Sequence, residues 1–380
     1  MTGSSATPRI VAVPGPGLDG AECARWGAEF GIEVDVRTGQ PVGVLRDGAA
    51  GAAGVIVAPG AAGFGDPALA EAISTAGVPV VAVEPGNLRK TGPPPESTGL
   101  LTAGARVLYG RGPDTGRHAV QFLARRLGQA PDTLAYGPDP SQVGDLWVPA
   151  RPAGATALLP VVVLFHGGFW YHAWERDLMD GLAADLAARG LAAWNVEYRR
   201  VGAGGGWPAT GEDAARATDH LTALAPVYGL DPGRVAVLGH SAGAQLALWV
   251  AARGRRGSVH PRLAVGLATI GDLEAALAEG VGGRSVARLL DGAGDPEIAL
   301  CDASPLARLP IGVPQLLVHA ADDAVVPPSQ TTRYADAAVA AGDDVTVVEL
   351  ATGGHFDLID PRTPAWTVVA PVVQNRLIGV

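Results

Sequence analysis

Short apolar runs alternate with longer amphipathic stretches along most of the chain. In the first third, residues 10–13, 32–36, 54–58, 78–83 and 106–109 are rich in Val and Ile, and Gly and Pro flank most of them, which predicts strands. Between them, residues 20–30, 67–75 and 115–127 carry apolar positions at helical spacing. Strand and helix in alternation predict a small, flavodoxin-like α/β domain with a parallel sheet. The stretch QAPDTLAYGPDPSQ, residues 129–142, loses this periodicity and is rich in Pro, Asp and Gly. It predicts a first domain over 1–129, a linker over 130–142 and a second domain over 143–380. In that second part the strand pattern resumes at 160–165, 192–196, 235–238, 264–270, 314–319 and 345–350. Continuous β-branched runs of this kind predict a parallel sheet covered by helices on both faces. Residues 271–310 hold helical pieces at 273–278 and 285–290 and read as an insertion after a strand's C-terminal end, a short helical cap over the ligand crevice.

Composition narrows the partners. The 380 residues are 48% hydrophobic and 17% charged, enough apolar material for two cores. A formal net charge of −10, with no basic cluster beyond pairs such as Arg125-Arg126, argues against nucleic acid and anionic membranes. Cys23 and Cys301 are the two cysteines, and their distance in sequence fits neither a disulfide framework nor a zinc spacing. His166, His240 and Asp323 also lack metal-ligand spacing, so no metal and no other cofactor is expected. The N-terminal MTGSSATPR lacks a signal pattern, which makes a cytoplasmic location the expectation.

One junction departs from ordinary strand–helix grammar. VAVLG runs through Gly239-His240-Ser241-Ala242-Gly243 into AGAQLALWVAAR in a single step. A nucleophilic serine needs such a sharp turn to stand clear of the sheet, and glycines two before and two after relieve the crowding. Among eight histidines, His355 in ATGGHFDL lies in a glycine-flanked loop after the last apolar strand, where a general base can enter the site. His118 and His220 fall in predicted helices, His260 in a loop, and His172 and His319 read as packing residues. VHAADDAVVP supplies two candidates for the orienting carboxylate, Asp322 and Asp323, after the preceding strand. LFHGGFW places Gly167 and Gly168 where backbone N–H groups turn toward the serine, so these two with Ala242 are expected to form an oxyanion hole. His166 is expected to hold that loop by hydrogen bonds. Phe169, Trp170 and Trp174 follow in a protein that is only 5% aromatic and are expected to line a pocket for a small-molecule substrate.

HGGFW, GHSAGAQLAL, DDAVVP and GGHFDL together resemble α/β-hydrolases of the kynurenine formamidase and esterase/lipase kind, over about residues 142–380. The segment ATIGDLEAAL resembles the same group. The family pattern D-x-x-V-P falls on Asp323 to Pro327, so the resemblance selects Asp323. It implies a Ser241–His355–Asp323 triad cleaving a carboxylic ester, lactone or amide through an acyl-enzyme. Formamidase chemistry on an N-formyl aryl amine, and acyl transfer or cyclisation, are the alternatives. Residues 8–127 resemble type II 3-dehydroquinate dehydratase through IVAVPGPGLDG, VIVAPGAAGFGDPALAEAI, VPVVAVEPGNL and GRGPDTGRHAVQFL. That family's polar site is replaced here by Gly17, Ala58, Glu84, Glu96 and Ser97; Asn87 alone matches, and Asp19-Gly20 runs on without the family's Arg- and Tyr-bearing lid. The resemblance therefore implies a non-catalytic domain through which the chain forms a homo-oligomer. A lyase or ligand-binding role for this half is the remaining alternative.

Overall fold

The structure is a computed structural model that describes residues 7–47, 49, 51–59, 64–84, 100, 103, 105–109, 111, 114–127, 129–152 and 154–379. It divides into two compact units, residues 1–130 and 131–380.

The first unit runs β1 (Arg9–Val13), α1 (Gly20–Glu29), β2 (Glu33–Val36), α2 (Pro41–Asp47), β3 (Val55–Val57), α3 (Pro67–Thr75), β4 (Val80–Glu84), β5 (Arg106–Tyr109) and α4 (Thr115–Arg126). Its sheet has the order β2-β1-β3-β4-β5, and every pair is parallel. This is the flavodoxin-like order that the alternation predicts. Side chains alternate across the strands, so Val11, Val13, Val55 and Val57 fill one core and Ile10, Ala12 and Ile56 the other. Helices start where their caps demand. Asp19 accepts from the N–H groups of Ala21 and Glu22 at the start of α1, and Asp66 accepts from Ala68 ahead of Pro67 in α3. Gly17, Ala58 and Glu84 lie among the described residues, whereas Asn87, Glu96 and Ser97 lie outside them.

The second unit comprises β6 (Asp132–Ala135), β7 (Val143–Trp147), β8 (Leu159–Phe165), α5 (Asp180–Ala188), β9 (Ala192–Val196), α6 (Ala209–Asp219), α7 (Leu221–Tyr228), β10 (Leu230–His240), α8 (Ala242–Ala251), β11 (Leu263–Leu267), α9 (Leu273–Ala278), α10 (Ser285–Leu289), α11 (Pro296–Ala303), β12 (Gln315–Ala320), α12 (Pro328–Ala340), β13 (Val345–Leu350) and α13 (Pro364–Ile378). The strand order is β13-β12-β11-β10-β8-β9-β7-β6, parallel except for the pairings that β7 makes with β6 and β9. Every residue of β8 is buried, and so are the last six of β10. Each such Val or Leu contributes roughly 1.5–3 kcal/mol on burial, and this pair forms the rigid centre of the sheet.

The expected linker over 130–142 is not a linker. Residues 132–135 form β6, the Tyr136 hydroxyl donates to the carbonyl of Glu197 at 2.6 Å, and Gln142 Nε2 donates to Asp213 Oδ1 at 2.7 Å. Polar side chains hold this segment, which is why it shows no apolar period. The cap between β11 and β12 contains the two expected helical pieces and a third, α11, whose N-terminus is capped by Asp295. Gln245 and Trp249 of α8 tie the cap down by donating to the carbonyls of Ala303 and Asp302. Among the described residues, no helix is long and apolar enough to cross a membrane, and no group of three or more His, Cys, Asp or Glu could hold a metal ion.

Candidate active site

Strand β10 and helix α8 meet at Ser241, which has φ 56° and ψ −120°. This is a strained conformation for a residue with a Cβ. The turn is so tight that a Cβ on Gly239 would lie 1.9 Å from the carbonyl oxygen of Gly243, and one on Gly243 would lie 2.1 Å from that of Phe165. Backbone cannot yield at those distances, so both positions require glycine. The Ser241 N–H donates to the Leu267 carbonyl at 2.7 Å, which fixes the elbow to β11. Its Oγ is buried and has no hydrogen-bond partner among the described residues.

His355 lies against Asp323, one of the two candidate carboxylates. His355 follows β13 and Asp323 follows β12, and His355 Nδ1 donates to Asp323 Oδ2 at 2.7 Å. Asp323 Oδ1 accepts from the N–H groups of Val325 and Val326 at 2.8 and 2.9 Å. Burial alone would raise the Asp323 pKa. Hydrogen bonds from His319 and His355, and the Val326 N–H, outweigh it and hold the carboxyl well below the usual range. Asp322, the other candidate, serves the loop instead: it accepts from the N–H groups of Gly353 and Gly354. His240, inside the elbow, links the parts. Its Nε2 donates to the His355 carbonyl at 3.0 Å, and the two rings lie 4.5 Å apart. Burial and the adjacent His355 depress the His240 pKa, so its ring is neutral.

The glycine loop after β8 lies against the same elbow. A Cβ on Gly167 would come within 2.7 Å of His240 Nδ1 and 3.1 Å of Ser241 Cβ. Among the described residues, no loop or cap hydrogen bond engages the N–H groups of Gly167, Gly168 or Ala242. Below the loop His166 faces an acceptor at each ring nitrogen, the Gly167 carbonyl at 2.7 Å and Glu197 Oε1 at 2.9 Å. Glu197 is buried. Burial pushes its pKa up, but Arg200, His166 and Arg176 outweigh that and bring it down to about 2. A buried ionised carboxylate thus anchors the loop, and sequence reading missed it because Glu197 lies in β-strand-like VEYRR with no motif of its own.

The three aromatics separate. Trp170 was expected in the pocket and is instead core: it is fully buried and its indole N–H donates to Gln245 Oε1 at 2.9 Å. A positive φ of 58° turns it inward, which sequence spacing cannot reveal. Phe169 is half-buried and packs on the cap, with its ring over Gly282. Trp174 is half-buried and stacks on Phe356, the residue after His355, at 5.9 Å.

Comparisons with known proteins agree with this architecture. The family described as BD-FAE matches residues 145–264. Esterase LipI of Mycobacterium tuberculosis is 34% identical over 152 residues, 37% of this chain and 46% of that protein. A probable isoprenylcysteine alpha-carbonyl methylesterase, ICMEL1, of Oryza sativa subsp. japonica is 32% identical over 118 residues, 30% of this chain and 26% of that protein. The chain thus spans less than half the length of these curated relatives. Among solved structures, a truncated carbohydrate esterase from gut microbiota superposes with a TM-score of 0.57 at 20% identity, over 66% of this chain and all of that one. Esterase B of Lactobacillus rhamnosis gives 0.59 at 19% identity, over 69% and 91%. The second unit therefore has the α/β-hydrolase fold.

Proposed function

We propose that residues 131–380 hydrolyse a carboxylic ester through an acyl-enzyme on Ser241. The observation that carries this reading is the His355–Asp323 hydrogen bond, joined through the His240–His355 contact to a strained serine whose Oγ has no hydrogen-bond partner among the described residues. In this reading His355 Nε2 takes the Ser241 proton as Oγ attacks the ester carbonyl. Asp323 fixes the tautomer and stabilises the imidazolium that forms. The N–H groups of Gly168 and Ala242, with Gly167 beside them, receive the oxyanion at the N-terminus of α8. His355 then protonates the departing alcohol, and water attacking the acyl-enzyme by the same path regenerates the serine. Esters are favoured over formamides because the curated relatives are named as an esterase and a methylesterase.

The test is labelling with a fluorophosphonate, peptide mapping of the adduct, and a panel of p-nitrophenyl esters beside N-formylkynurenine. Labelling at Ser241 with ester turnover is expected. An adduct elsewhere, or no turnover of any ester, would overturn the reading.

Trp174 and Phe356 are proposed to form an apolar wall for the acyl or leaving group. Removing one aromatic face loses roughly 1.5–3 kcal/mol of apolar contact, or about tenfold or more in binding. Trp174→Ala is therefore expected to raise KM for aryl and long-chain esters about tenfold and for acetyl esters no more than about twofold. An equal rise for every ester with a lowered Tm would make the stack a core contact only.

A further inference from the structure

The His355–Asp323 pair has a second histidine behind it. His319, the fifth residue of β12, lies with its Nε2 3.2 Å from Asp323 Oδ2 and 3.0 Å from the Val326 carbonyl. Its Nδ1 lies 2.7 Å from Thr331 Oγ1 of α12. Thr331 Oγ1 accepts the Thr269 N–H at 3.1 Å, and its alternative acceptor, the Thr269 carbonyl, is 3.4 Å away. The hydroxyl has one proton, and the shorter contact takes it, so Thr331 donates to His319 Nδ1. That choice leaves the His319 proton on Nε2, where it points at Asp323 and the Val326 carbonyl. Both His319 and Thr331 are almost fully buried, so water does not compete for these contacts.

Resting on the triad reading above, we infer that His319 is a positioning residue for catalysis, locked by Thr331 in the tautomer whose Nε2–H lies between Asp323 and the Val326 carbonyl. Its consequence is geometric. With His319 in place, Asp323 Oδ1 accepts two backbone N–H groups, Oδ2 accepts the His355 N–H, and the single His319 Nε2–H lies between Oδ2 at 3.2 Å and the Val326 carbonyl at 3.0 Å. Donors then face both oxygens, and this resists rotation of the carboxylate while His355 cycles between neutral and charged forms. Without His319, one lone pair of Oδ2 is bare in a buried site, and the plane of the carboxylate, hence the aim of His355, is free to drift. Val326 in DDAVVP lies in the same turn, so the histidine also clamps the segment that delivers the acid.

The experiment uses the full chain carrying His319→Phe, His319→Gln or Thr331→Val, with p-nitrophenyl acetate kinetics, a melting curve and the downfield proton resonance of the His355 Nδ1–H. Loss of a hydrogen bond to a charged group predicts that His319→Phe lowers kcat about 30-fold and leaves KM within about twofold. The downfield resonance should shift or broaden. A glutamine amide can replace the Nε2 donor, so His319→Gln should recover at least about tenfold of that loss. Thr331→Val removes only the tautomer lock and should lower kcat about threefold to tenfold. A folded His319→Phe with kcat within about threefold of the parent overturns the proposal, as does glutamine no better than phenylalanine. If His319→Phe does not fold, a Thr331→Val protein with parental kcat and an unmoved resonance overturns it. A parent protein that neither labels at Ser241 nor turns over esters removes the triad reading itself, and His319 falls with it; a labelled, active parent isolates the question to His319.

Discussion

Ser241→Ala is expected to lower kcat/KM for p-nitrophenyl acetate by at least about a thousandfold, or about 4 kcal/mol of transition-state stabilisation. The fold should hardly register the change. Ser241 Oγ makes no hydrogen bond to lose among the described residues, and its side chain is replaced by one that differs by a single oxygen. The strain at φ 56° is common to Ser and Ala, so it cancels in the comparison. A large kinetic loss with an unchanged unfolding transition is therefore the specific signature of a nucleophile. His355→Ala should cost nearly as much, because the triad acts as a unit, and the two losses should not add in the double variant. Parental activity in Ser241→Ala would end the catalytic reading.

How much of this was legible beforehand follows from where the information sits. The central strands declare themselves because parallel strands covered on both faces must be apolar throughout, as LPVVVLF of β8 is. Strand β7, VGDLW, hides because Asp145 is buried within it and makes an ion pair with Arg176, and such a pair looks like a break in the pattern. Its hairpin partner β6 lies at the sheet edge, largely exposed, with little apolar content to read. Helix α2 is seven residues long and carries Gly43 in its middle, too little for a period. Helix α11 carries a local signal in its sequence, Asp295 followed by Pro296, a cap and a first-turn proline.

The site divides the same way. Ser241, Asp323 and His355 each follow a strand's C-terminal end in a glycine- or turn-rich loop, so local sequence marks Ser241, His355 and the Asp322-Asp323 pair, while the resemblance chooses within the pair. His319 escapes because its partners, Thr331 on α12 and Asp323 in the loop, give it meaning only after folding; on the strand itself it is one buried residue among others. Trp170 was misread for a related reason. Two consecutive positive-φ residues, Phe169 and Trp170, reverse the directions that simple alternation assigns to their side chains.

The choice between adjacent carboxylates gives the second large effect. Asp323→Asn is expected to lower kcat by about 10³–10⁴, whereas Asp322→Asn should stay within about tenfold of the parent. The difference comes from which donors each carboxylate faces. Asp323 has backbone N–H groups on Oδ1 and the His355 N–H on Oδ2, with His319 Nε2 3.2 Å from the same oxygen. An asparagine must turn its NH₂ toward one side. Turned toward Val325 and Val326, it sets donor against donor, at about 1–3 kcal/mol for each group left unsatisfied. Turned toward the histidines, it obliges His355 to present a bare Nδ1 and a protonated Nε2, the wrong tautomer for accepting the Ser241 proton. No orientation satisfies both sides, so the loss should appear in kcat whichever is adopted. Among the described residues Asp322 accepts from Gly353 N and Gly354 N, the former at 3.3 Å, and an asparagine oxygen can keep the shorter bond at 2.8 Å. The His355 loop should then loosen without losing its register. Steady-state kinetics on the two single variants decide the matter: comparable losses, or a larger one at Asp322, would show that the orienting acid is not Asp323.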